Sequence, residues 1–226
     1  LKKLESAYNH DIKLVKKTLT EVLSTLEVGK SEPLVQIKVD KKIKNSVLKR
    51  ETEQAYVYFG SPYDISIDSS EFYKARVAMF ILGTGGFGSR LMEEVRVKRG
   101  LAYSAYARVN VTKSSSYMSG YLQTKLESME EAKATVKEVI ATFVKKGVTK
   151  DELEQTKKFI LGSEPLRVET MSQRLSRTFQ EYYKGFELGS SELELEQIQN
   201  LKLKDLNKYI KEHKEILDIS FAIVTK

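Results

Sequence analysis

The chain has 226 residues, 41% of them hydrophobic and 31% charged, with 12 glycines and 3 prolines, a composition that excludes disorder and allows one large domain or two small ones. It has no cysteine, which excludes disulfides and thiolate metal sites, and no apolar run near 18 residues, which excludes a membrane-spanning helix. The net charge of +7 is spread among acids, and its densest basic run, 38–50, is interrupted by apolar residues, so the excess reads as solvated surface rather than a nucleic-acid footprint.

The opening LKKLESAYNH lacks the apolar core of a signal peptide and an initiator methionine. Leu1 is therefore read as a processed end or as a cut inside a longer chain. Residues 9–27 carry Ile12, Val15, Leu19, Val22, Leu23 and Leu26 at helical spacing, with Asn9 or Asp11 as the cap and Gly29 as the stop. This helix, within 1–30, either belongs to the main domain (31–226) or closes a preceding one. Extended pieces are expected at 34–39, 46–50 and 54–59. The last, Ala55-Tyr56-Val57-Tyr58-Phe59, has the composition of a central strand.

Asp68-Ser69-Ser70-Glu71 matches a capping box opening a helix to about residue 82, with Phe72, Ala75, Met79 and Phe80 inward. A glycine loop follows (Gly83, Gly85, Gly86, Gly88), then a helix over 89–98 stopped by Gly100 in a left-handed cap. Residues 101–111 and 117–125 are expected to pair as a hairpin. Strict alternation puts Leu101, Tyr103, Ala105, Ala107, Val109 and Val111 on one face. A long helix over 129–146 turns Ala132, Val136, Ile140, Phe143 and Val144 inward and ends at Gly147. Thr149-Lys150-Asp151-Glu152 caps a helix reaching about residue 162, with Leu153, Phe159 and Ile160 on its apolar side. After the break at Pro165 come helical stretches at 170–184, 191–200 and 204–213, and a final strand at 217–224. Antiparallel strands with segregated helices give an α+β class.

Gly83-Thr84-Gly85-Gly86-Phe87-Gly88 fits G-x-G-x-x-G in letters alone. A helix precedes it, and the positions about 20 residues on are Arg108 to Asn110 rather than acidic, so a dinucleotide site is not supported. The two histidines, His10 and His213, are far apart. Tyr209-Ile210-Lys211-Glu212-His213 lies one substitution from H-x-x-E-H, and the tyrosine removes a ligand nitrogen that zinc needs. Arg96 and Tyr103 flank the turn at Gly100, where a helix–turn–strand reversal can aim a guanidinium and a phenol into one space and offer hydrogen bonds to a peptide carbonyl or oxyanion. Spacing leaves two bland alternatives open: Tyr103 buried with Leu101, and Arg96 paired with Glu93 or Glu94.

The stretch GGFGSRLMEEVRVKRGLAYSAYA resembles the signature of the C-terminal, non-zinc half of M16-type zinc metallopeptidases, a family that includes mitochondrial processing peptidase and pitrilysin-like enzymes. VTKDELEQTKKFILGSEPLRVETMSQRLSR is similar to a later family segment, and the likeness runs from about residue 34 to the end. The resemblance implies an α+β domain, with an antiparallel-rich mixed sheet and helices packed on it, that faces a second domain bearing H-x-x-E-H and zinc. It implies no cofactor bound by this chain, zinc in the partner half, and substrate contacts from Arg96 and Tyr103. Expected partners are that zinc-bearing domain or subunit and a peptide, with no nucleic acid and no membrane span; a homodimer is left open. The compartment is left open: a soluble setting is expected, cytoplasm or periplasm if the source is bacterial. A non-catalytic scaffold making only protein contacts is the rival reading.

Overall fold

A computed structural model describes residues 12–30 and 32–226. The proposed caps Asn9 and Asp11, and His10, lie outside the described residues. Helix α1 (Ile12–Leu23) buries no residue, so its apolar stripe is left facing solvent. Strands β1 (Ser46–Lys49), β2 (Gln54–Pro62), β3 (Ala102–Val111), β4 (Ser116–Lys125) and β5 (Ser220–Thr225) form one sheet in the order β1-β5-β2-β4-β3. Only the β1–β5 pair is parallel. The aromatic, β-branched β2 is the central strand, as its composition demands.

Alternation along the strands sends Val57, Phe59, Ala107, Met118, Leu122 and Phe221 to one face. The helices cover that face. Helix α2 (Phe72–Met79) continues as a wider π turn over Phe80–Thr84. Helix α3 begins as an α turn at Arg90–Met92 and widens to a π-helix over Glu93–Lys98. Helix α4 (Met129–Lys146) buries all five residues expected of it. Next come α5 (Lys150–Gly162), a short α6 (Glu164–Arg167), α7 (Met171–Lys184), α8 (Ser190–Asn200) and α9 (Leu203–Glu212). The capping box at Thr149 forms as read from the sequence, and Thr170 with Gln173 builds another at the start of α7.

Four expectations fail for local reasons. Residues 34–39 are not a strand: they cross the hairpin tip, where Ile37 N–H reaches Ser114 O at 2.8 Å and no second ladder partner runs alongside. The Asp68 capping box does not form. Asp68 instead accepts from Ser66, and α2 starts later with Glu71 as an N-cap that makes no side-chain cap bond. Phe159 is exposed on α5 and meets Phe80 at 5.0 Å between ring centres rather than entering the core. The last strand starts at Ser220 because a 3₁₀ turn takes up Lys214–Leu217.

Candidate functional site

The glycine segment is built around close backbone contact. The turn after α2 lies on β3 so tightly that a Cβ on Gly83 would meet the Ala107 carbonyl oxygen at 2.6 Å. Gly85 closes the π turn by donating to Phe80 O at 2.9 Å, and a Cβ there would sit 2.7 Å from the same oxygen. Gly86 takes φ +60°, while Gly88 has open space around it. The loop therefore holds backbones together, and its one large side chain, Phe87, stands 65% exposed.

Ser89 caps α3 by accepting from Met92 N–H. Gly100, at φ +61°, ends the helix: its N–H reaches Arg96 O at 3.0 Å, and Leu101 N–H reaches Val95 O at 2.8 Å. The chain then enters β3 through an irregularity. Ala102 pairs with Thr124 and Ala105 with Leu122, so Tyr103 and Ser104 stand opposite the single Gln123. This bulge overturns the simple alternation of the sequence reading. Ala102 and Ala105 are buried, and Tyr103 is 80% exposed instead of joining Leu101 in the core.

The reversal brings Arg96 and Tyr103 together. The Arg96 guanidinium carbon lies 4.2 Å from the Tyr103 ring centre and 4.5 Å from that of Phe87, so the cation is stacked between two exposed rings. Phe87 was not singled out from the sequence. An aromatic residue flanked by glycines, with no helical or strand period to bury it, was the available signal. The carboxylates proposed as alternative partners are engaged elsewhere or leave Arg96 alone. Glu94 accepts from Lys98 at 2.6 Å and from Arg99, and these cations hold it below the ordinary carboxylate range. Among the described residues Arg96 makes no ion pair and no side-chain hydrogen bond, and the Tyr103 hydroxyl has no partner, so their donors face outward.

Six residues before Arg96, Arg90 anchors the same helix. It grips Glu152 with two hydrogen bonds, 2.6 and 2.8 Å, and donates to Gly147 O at 2.8 Å. Burial alone would raise the Glu152 pKa. The Arg90 bonds and the Thr149 N–H at 2.7 Å outweigh it and leave the carboxylate below its ordinary range.

Among the described residues no three His, Asp or Glu side chains form a group able to hold a metal ion. The near-miss at Tyr209–His213 is a packing unit: the buried Tyr209 hydroxyl is 2.9 Å from that of Tyr63, His213 stacks on Tyr63 at 4.8 Å, and His213 Nδ1 lies 2.7 Å from Glu215 Oε1. Glu212 points away, 3.7 Å from Lys208.

Residues 9–160 match a family model described as the peptidase M16 inactive domain. A Helicobacter pylori protein named non-peptidase homolog YmxG is 45% identical over 227 residues, covering 100% of this chain and 52% of that protein. A Bacillus subtilis protein named uncharacterized zinc protease YmxG is 33% identical over 129 residues, covering 57% of this chain and 31% of that protein. This chain thus spans about half or less of these relatives. In fold it is similar to a crystal structure of a peptidase M16 inactive domain from Pseudomonas fluorescens, with a TM-score of 0.85 at 22% identity over 96% of this chain and 51% of that one. A protease from Helicobacter pylori aligns with a TM-score of 0.77 at 16% identity, over 96% of this chain and 53% of that one. By sequence match and by its five-stranded α+β fold, the chain belongs to the M16 peptidase family as one of its inactive domains.

Proposed function

We propose that this chain is the zinc-free, substrate-binding half of an M16-type metallopeptidase, completing a peptide-hydrolysis chamber with a separate domain that carries H-x-x-E-H. The observation that carries this reading is the Arg96 guanidinium, stacked between Phe87 and Tyr103 with its donors unspent. Such a group is oriented before substrate arrives and gives charged hydrogen bonds to a peptide carbonyl without a reorganisation cost. Tyr103 adds a neutral donor beside it. The exposed apolar stripe of α1 supplies a surface for the other half. Among the described residues no helix is long and apolar enough to cross a membrane.

The test is peptide cleavage by the two halves combined. Arg96→Ala should lower kcat/KM by about 100-fold, the scale of losing one oxyanion-type donor. It should lower the melting temperature by a few degrees only, the loss of stacking on two exposed rings.

A second reading has a specific observation in its favour, since the Helicobacter pylori relative is named a non-peptidase. The chain would then be a scaffold making only protein contacts. In that case the combined halves assemble and cut nothing, and Arg96→Ala alters neither assembly nor any rate.

A further inference from the structure

The five strands contain no aspartate or glutamate, although the chain has 31 acidic residues. One sheet face is core. The opposite face is open and carries a cross-strand row of tyrosines: Tyr58 pairs with Tyr121, and Tyr121 with Tyr106. The ring centres are 4.8 and 6.1 Å apart, and Tyr58 and Tyr106 remain 50% and 41% exposed. Two positions beyond Tyr106 on the same side is Arg108, exposed, opposite Ser119, and without an ion pair among the described residues. Tyr103, under the Arg96 guanidinium, is five residues before Arg108 on the same strand, but the bulge makes that stretch match four residues of β4, Gln123 to Ser119, roughly 13 Å at strand rise.

We propose that this open face selects its peptide: it takes extended segments in which two acidic residues about four positions apart bracket aromatic or aliphatic ones. This names a substrate class for the function proposed above and rests on it. The reasons are electrostatic and geometric. Carboxylates on the peptide meet two unpaired guanidinium groups and no like charge from the strands beneath, and the phenol hydroxyls offer further donors. The tyrosine row, which starts at Tyr106 between the two cations and runs across β4 and β2, presents flat, amphipathic surface to apolar side chains. A basic segment would place its ammonium groups against Arg96 and Arg108 with no acid on the strands to compensate. An extended peptide advances about 3.3 Å per residue and returns its side chains to one face at even spacings, so four positions match the separation of the two cations.

The experiment uses the 226-residue chain and fluorescence anisotropy with two labelled 12-residue peptides. One carries glutamates about four positions apart around phenylalanine and tyrosine, a spacing that keeps both on one face of an extended chain; the other has lysine in their place. The acidic peptide should bind at least about tenfold more tightly at low salt, and the gap should close as ionic strength approaches about 1 M, where screening reaches about 3 Å. Arg108→Glu should remove the preference at an unchanged melting temperature, and Tyr58→Ser should weaken the acidic peptide without changing the sign of the preference. Equal affinities, tighter binding of the lysine peptide, or no saturable binding of either would overturn the proposal. If Arg96→Ala still abolishes cleavage by the combined halves while both peptides are cut alike, the substrate class fails and the general function stands.

Discussion

Arg96 gains its position from three different parts of the chain: the π turns of its own helix, the glycine loop that lifts Phe87, and the bulge that turns Tyr103 outward. Stacking on two aromatic faces is worth about 0.5–2 kcal/mol for each ring, enough to hold a long side chain in one orientation. A lysine keeps the charge but not the planar stack or the fork of donors. Arg96→Lys should therefore recover only a small part of the cleavage lost in Arg96→Ala, and steady-state kinetics on the combined halves checks this. The pairing of Arg96 with Tyr103 was legible because Gly100 demands a reversal. The exposure of Tyr103 was not. Tyr103, Ser104 and Ala105 all suit a strand, and only the register against Gln123 makes two residues oppose one.

Among elements, the contact between the turn after α2 and strand β3 is the least tolerant. Gly83→Ala forces a methyl group onto the Ala107 backbone, which cannot swing aside as a side chain would. It should cost about 2–3 kcal/mol, whereas Gly88→Ala meets nothing and should cost under about 1 kcal/mol. Denaturant melts of the two variants separate a glycine that packs from one that only links. The Arg90–Glu152 pair joins α3 to the start of α5. Arg90→Ala should destabilise by about 2 kcal/mol, a lowering of Tm by about 4–8 °C, because it strands a half-buried carboxylate. Since folding depresses the Glu152 pKa, the stability it contributes is full above its ordinary 4.5 and is lost as pH falls through the lower folded value. Acid titration of stability below pH 4.5 should be less steep in Arg90→Ala than in the unaltered chain. The Thr149 capping box was legible because its partner is three residues away. The Asp68 box misled because Ser66, outside the motif, competes for the same carboxylate. Residues 34–39 misled differently: their apolar content suits a strand, but Leu34, Val35 and Ile37 stay exposed where the fold gives them no ladder.

At the scale of the whole molecule, one face of the sheet holds the core and the other is left to solvent, lined with tyrosine on strands that carry no acid. The fold class and the central place of β2 could be read from periodicity and composition. The character of the open face could not be read until the strands were ordered, because Tyr58, Tyr121 and Tyr106 are far apart in sequence and adjoin only through the β2-β4-β3 order. The net charge of +7 acquires a location by the same route, since the acids are confined to helices and connections. A double-mutant cycle on Arg96 and Tyr103, read as kcat/KM of peptide cleavage by the combined halves, addresses most directly whether they act as one device on the peptide. Strong coupling is expected: Arg96→Ala and Tyr103→Ala together should slow cleavage scarcely more than Arg96→Ala alone, a coupling energy above about 1 kcal/mol. Two losses that simply add, or no loss from either change, would contradict it.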